Sequence, residues 1–532
     1  MRRLALIFFP FLLLAQHHDG APPPEHPVTL YQGLGTWHHP IATANPDAQK
    51  FFDQGLVLLF SFNRYESVRS FRKAAELDPK ALMPLWGQAM AQGPYINMDG
   101  DPSFDLNGSC AAVAAGRKLE TAPVKERAYL DAVAAWCPAY QPDAYTAAAK
   151  KLAAAYPDDL DAQTLYAESL MIPVRWHWYS ADGAPAPGMP EAERVLEQVL
   201  RRWPEHPGAN HYYIHAVESS RTPERAIPSA QRLMGVVPWA GHMVHMPAHI
   251  WLVMGDYELA ASLNERASAV DREYMAASNV TMGTYTPYYV HNLHFIAYAR
   301  WMQGRRAEAI QAADTLAAAM VPMIDVIPEM ADAFMSQAIF ARVRTLAWGD
   351  VLKMPQPNPK LLSETALWHY ARALAFIARN DRAAATREQA AFTEARLKIQ
   401  PGRGFGLSPA KDVLSIADEV LSATSDGSTA SGITHWRKAV EIQDKLTYDE
   451  PPDWYYPVRE SLGAALIRMG QPAEAEQILR DALRRSPRNG RILYALIESL
   501  KAQNKTEGLE ELRRELTAAW SKAAIPLSLA DL

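Results

Sequence analysis

Cysteine is nearly absent: 532 residues contain only Cys110 and Cys137. That excludes a dense disulfide framework and makes a cysteine-ligated cluster a poor reading. Neither lies in a redox motif, so they are read as a structural pair, free to form a disulfide where the compartment permits one. Positive charge is not in excess either. Lys and Arg number 53 against 59 Asp and Glu, the net charge is −6, and no basic stripe emerges. Nucleic acid is therefore not an expected partner. No glycine-rich phosphate loop and no strand–helix alternation occur, which leaves an α/β catalytic domain without a place. Long apolar runs are missing beyond the N-terminus. There, MRRLALIFFPFLLLAQHHDG sets two arginines before a twelve-residue apolar stretch, Leu4 to Ala15. It is short for a membrane span and reads as a secretory signal cleaved between about Ala15 and His18. An N-terminal anchor is the alternative, and no cysteine is near enough to take a lipid. A periplasmic or secreted protein follows, with no stable membrane insertion after cleavage.

What is present is a folded, helix-forming chain. Hydrophobic residues make up 49% and charged residues 21%, the balance of a soluble globular protein. An irregular lead ends near residue 45. From Pro46 onward Ala, Leu, Glu and Arg dominate, with Pro and Gly as punctuation. Residues 48–79, AQKFFDQGLVLLFSFNRYESVRSFRKAAELDP, and 456–487, YPVRESLGAALIRMGQPAEAEQILRDALRRSP, share one plan. Each has a helix with a midway glycine, a short polar turn, and a second amphipathic helix closed by proline.

This plan resembles the tetratricopeptide repeat, a 34-residue helix–turn–helix unit with small residues where helices cross. The first unit matches at Gly55, Phe71, Ala74 and Pro79, and the second at Gly463, Ala475, Leu479, Ala482 and Pro487. The family's first-helix tryptophan is absent from both. The resemblance implies an all-α fold, a right-handed α-solenoid of stacked helical hairpins with loop insertions. The expected organisation is a signal peptide over 1–18 and an irregular lead over 19–45. A central repeat array follows over 46–271, then continuing repeats with a histidine-bearing helix over 272–395. An insertion or linker is expected over 396–434 and C-terminal repeats over 435–532. The usual role implied by the family is a protein- or peptide-binding groove.

Histidine carries the remaining signal. Ala226, Ala260 and Ala309 occupy one place in three second helices. His211, His245 and His294 each stand 15 residues before their alanine, His215 and His249 stand 11 before, and His242 and His291 stand 18 before. Spacings of three and four put each pair on one helical face. Glu218, three beyond His215, shares that face. In the family the first helices line the concave surface, with neighbouring axes about 8–10 Å apart. His211, His215, His245, His249, His291 and His294 would then form one cluster. His242 would lie at its edge, Glu218 would act as ligand or orienter, and His38 and His39 could fold across as additional ligands. His369 is one residue out of register and is left aside.

Neutral imidazoles suit transition metals, with copper placed first and iron or zinc as alternatives. A metal with an open position would make a metal-dependent oxidoreductase conceivable, although no catalytic residue can be named. A groove for a polar organic ligand, simple packing, and a non-enzymatic interaction scaffold of the periplasm are the competing readings. The metal reading predicts that the segments 211–218 and 242–252 are neighbours, with His211 and His215 facing His245 and His249; imidazoles pointing to opposite sides would defeat it.

Overall fold

The computed structural model describes residues 27–98, 104–278 and 285–532. The chain folds as a right-handed, tetratricopeptide-like α-solenoid of stacked helical hairpins. Local sequence explains how each hairpin starts and turns. Asn45 caps the helix Pro46–Phe60 by accepting from the amides of Asp47 and Ala48, with Pro46 at the first position, where no donor is lost. Asn63 caps Arg64–Leu77 in the same way through the Glu66 amide. In several hairpins one residue between the helices turns left-handed, five before the small residue of the second helix. Gly255, Gly304 and Gly470 do this before Ala260, Ala309 and Ala475, and Asn380 does it before Ala385. Glycine and asparagine tolerate positive φ at little cost. In the first hairpin the same place is held by Phe62 at φ 56°, a costly conformation for a large side chain.

The two helices of a hairpin bury different amounts. Pro472–Arg485 buries only Ala475, Leu479 and Ala482, the stripe of an outer helix. Pro207–Glu218 is buried at every one of its 12 residues. An inner helix with that environment should be apolar throughout, yet it carries Asn210, His211, His215 and Glu218. Buried polar groups need partners, and those partners define the site below. Two apolar cores flank it, one built from residues up to Ile250 and one from Ala248 onward.

Three local features depart from the sequence expectations. The stretch 396–434, expected as an insertion or linker, contains a two-residue strand pair, Gly404–Phe405 with Ser408–Pro409, and the helix Ala410–Asp426. That helix buries Val413, Leu414, Ala417 and Leu421 at helical spacing and pairs with Ala430–Gln443. Within the array expected over 46–271, the segment 94–120, read from the sequence as an insertion between repeats, includes the helix Leu106–Gly116. GHMVHMPAHI is split into Gly241–His245 and Pro247–Val253 because Pro247 has no amide to donate. Met246 nevertheless keeps φ −51° and ψ −39°, so the helical path continues. Cys110 and Cys137 are disulfide-bonded, with Cα atoms 5.6 Å apart. Among the described residues, no helix is long and apolar enough to cross a membrane.

Two tests follow from the packing. Phe71 is wedged between helices at Gly55 and Gly87; a Cβ at either glycine would lie 2.7 or 2.5 Å from its ring. Gly87→Ala should cost about 1–3 kcal/mol through overpacking, read as a lowered denaturation midpoint; an unchanged midpoint would refute the wedge. Glu168 is buried near Arg64, and burial lifts its carboxyl to about 7 despite that guanidinium. The folded chain therefore keeps a proton that the unfolded chain loses near its ordinary value of 4.5. Stability should fall as pH rises through that window, by about 3 kcal/mol at most. Glu168→Gln should flatten this slope, and identical pH profiles for the two proteins would count against it.

Candidate metal centre

Three short segments and one distant loop assemble the site. Pro207–Glu218 packs against Pro247–Val253, bringing the His215 and His249 rings to 5.6 Å, and His242, on Gly241–His245, comes to 4.9 Å from the ring of His211. His291, on Thr286–Met302, reaches 4.8 Å from the ring of His245. Asp271 holds these helices in place. Its carboxylate accepts from Asn292 at 2.6 Å. It also lies where a side chain on Gly241 would have to go, 1.7 Å from an added Cβ. Glycine at the head of GHMVH is thus a steric requirement, which fixes where His242 and His245 start.

The outer nitrogens determine what the inner ones can do. His211 Nδ1 lies 2.6 Å from the Phe60 carbonyl, and His245 Nδ1 lies 2.7 Å from Asn264 Oδ1. The Asn264 amide nitrogen itself donates to the Ala260 carbonyl, which fixes its oxygen toward His245. His215 Nδ1 lies 3.0 Å from Glu218 Oε1. Those partners can only accept, so each Nδ1 carries the proton and each Nε2 presents a lone pair. The Nε2 atoms point inward. His211 Nε2 is 3.1 Å from His242 Nε2, His245 Nε2 is 2.7 Å from His249 Nε2, and the buried His215 Nε2 has no hydrogen-bond partner. Lone pairs this close need a proton or a cation between them. His249 Nδ1 lies 2.7 Å from Glu218 Oε2 and also against Glu450, without hydrogen-bond geometry to either.

Charge within the cluster follows. Burial first, then neighbouring imidazoles, push His211, His242, His245 and His291 well below the usual histidine range. These rings are neutral and ready to donate electron pairs. Burial alone would lower His249 as well, but the carboxylates of Glu218 and Glu450 outweigh it and lift the ring to about 10. Burial would raise Glu218; the His249 and His215 rings overcome it and hold the carboxyl down. Burial and the Glu218 charge push Glu450 up. The cluster thus supplies the donors a cation needs. Three groups of side chains, His211/His215/His242, His245/His249/His291 and His215/Glu218/His249, each hold their ligand atoms within 4.8 Å of one another. These buried clusters are able to chelate a metal ion. A cavity of about 300 Å³ opens beside them, lined among others by Trp176, Tyr288 and Glu450.

The remaining candidates lie elsewhere. His294 lines the same cavity but belongs to none of these groups; it faces Phe334, and burial lowers it to about 3. His38 is on the surface, 2.8 Å from Asp53. His39 is 2.6 Å from Asp161, which also meets His206 at 3.2 Å, and forms a separate buried group with Asp159 and Asp161. Sequence reasoning missed Glu450, Asp449 and Asp453. They come from the loop DEPPD, which borders the cavity with the 404–409 hairpin; Asp453 accepts from the Ser408 amide at 3.0 Å. Three acids around two prolines in a chain of amphipathic helices were the available signal.

A tetratricopeptide-repeat family profile matches residues 458–499. No curated protein matches the chain. Among solved structures, the human IFIT1 dimer with m7Gppp-AAAA is 12% identical, covering 91% of this chain and 92% of that one at a TM-score of 0.31. The Naa15/Naa10 complex bound to HypK-THB is 12% identical over 90% of each chain, with a TM-score of 0.22. Yeast Tom70 is 10% identical over 89% and 93%, with a TM-score of 0.28. These likenesses concern the fold alone. One expectation is corrected here: the chain is not assigned to the periplasm or to secretion. Residues 1–18, which carried that reading, lie outside the described residues. The expected exclusion of nucleic acid is likewise not carried, and the repeat groove is compatible with a protein or peptide partner.

Proposed function

We propose that this chain is a helical-repeat scaffold built around a buried transition-metal centre. The observation that carries the reading is the set of inward Nε2 lone pairs on His211, His215 and His245, fixed by proton acceptors behind them. Such anchoring of the far nitrogen is how ligating imidazoles are held. The divalent affinity order places copper first, and imidazole also suits iron and zinc. When bound, the ion supplies a Lewis acid or, if redox-active, an electron-transfer centre. The chain's own part is to orient the rings, to keep a proton on each outer nitrogen, and to exclude water with Phe62 and Phe295, which pack on them.

The scaffold half of this reading requires no catalysis. Stacked hairpins build extended surfaces for protein segments, and a fold by itself assigns no reaction. The architecture fits interaction scaffolds better than a known oxidoreductase. Oxidative turnover is the narrower claim, requiring a redox-active ion with an open position facing the cavity.

Elemental analysis of the full chain, purified without chelators, tests the metal. Stoichiometric transition metal is expected, falling by at least half in His249→Ala and retained in His294→Ala. Metal-free wild-type protein that still captures a peptide partner would leave the scaffold role alone.

A further inference from the structure

The repeat register divides the six clustered imidazoles into two equivalent sets. The first consists of His211 and His215, 15 and 11 residues before Ala226, together with His242, 18 before Ala260. The second consists of His245 and His249, 15 and 11 before Ala260, together with His291, 18 before Ala309. Each set takes two rings from one hairpin and one from the next, by the same rule. We propose that this chain holds two metal ions, one in each three-histidine set, so that the centre is a repeat-generated pair of sites. The inference rests on the metal-binding reading above.

Three independent details agree with two sites. Each set surrounds its own phenylalanine. Phe62 lies 4.4, 6.2 and 5.1 Å from the rings of His211, His215 and His242. Phe295 lies 4.7, 4.9 and 5.0 Å from those of His245, His249 and His291. Each set also has its own neutral anchor, the Phe60 carbonyl for His211 and Asn264 for His245. Glu218 joins the two sets from behind. One oxygen lies 3.0 Å from His215 Nδ1 and the other 2.7 Å from His249 Nδ1, so it orients one ring of each set and need not be a ligand.

The series also stops where the register says it should. A third set would need His294 and the residue 11 before Ala309, which is Tyr298. At the other end, the position 18 before Ala226 is Gly208, which has no side chain to contribute to a preceding set. That accounts for His294 standing outside the grouped ligand atoms.

The competing arrangement is a single ion held by His215, Glu218 and His249. Titration of chelator-stripped full-length protein with cobalt(II), followed by elemental analysis after gel filtration, separates the two. Two equivalents per wild-type chain are expected, and one in each of His211→Gln and His291→Gln, with circular dichroism confirming the fold. The wild-type count stands alone if a variant does not fold. One equivalent in wild type, or loss of both ions in either variant, overturns the paired sites while leaving metal binding intact. No bound cobalt in wild type removes both readings.

Discussion

The hairpin turn is the constraint on which the rest of this molecule depends. Where the turn is closed by a left-handed residue five positions before the small residue of the second helix, as at Gly255, Gly304, Asn380 and Gly470, successive inner helices keep a fixed register. A side chain placed at one position in successive repeats is then delivered to adjacent points on the inner wall. Histidines at three such positions become a continuous cluster without any further instruction. Phe62 joins the two levels of organisation. It occupies the turn position at φ 56°, where glycine would be less strained, and its ring packs on three imidazoles. Strain retained beside a cluster of donors has a counterpart in what the side chain contributes there.

Burying so many imidazoles is unfavourable unless their nitrogens are satisfied. The chain solves half of that problem itself. Outer nitrogens meet the Phe60 carbonyl, Asn264 and Glu218, all acceptors. Inner nitrogens are left facing one another, 2.7 Å apart for His245 and His249. A proton on His249, stabilised by Glu218 and Glu450, relieves one such contact. The 3.1 Å contact between His211 and His242 is met by a neutral His242 that carries its proton on Nε2, which leaves His215 Nε2 as the inner nitrogen without a partner. A cation would satisfy the same inner nitrogens at once, and these clusters are able to chelate one.

Much of this was legible in the sequence because it is periodic. The helical class, the hairpin units around Gly55 and Gly463, and the shared register of His211, His245 and His294 all follow from spacing. Spacing is silent on what a loop does. Glu450 is 201 residues from His249 in sequence and belongs to no repeat position, yet its carboxylate touches that ring. His294 shows the opposite failure. Its register is right, but its helix carries Tyr298 one turn on, so no second imidazole accompanies it. The helix in 410–426 falls between repeats, in the stretch expected as an insertion or linker, although Val413, Leu414, Ala417 and Leu421 keep a helical period.

Contacts in a solenoid ordinarily stay between neighbours, and stability is then a sum of local terms. Here that locality is broken at the cluster. The Phe60 carbonyl of the first hairpin meets His211, 151 residues away, and Glu450 reaches His249 from the far end of the array. Both flanking cores therefore meet at side chains able to chelate a metal ion. Occupancy of such a site would stabilise the whole chain by mass action, because ligands drawn from remote repeats are gathered only in the folded state. The helices thus do more than line a groove: they close around the imidazoles, and the cavity beside Tyr288 and Glu450 is the opening that remains.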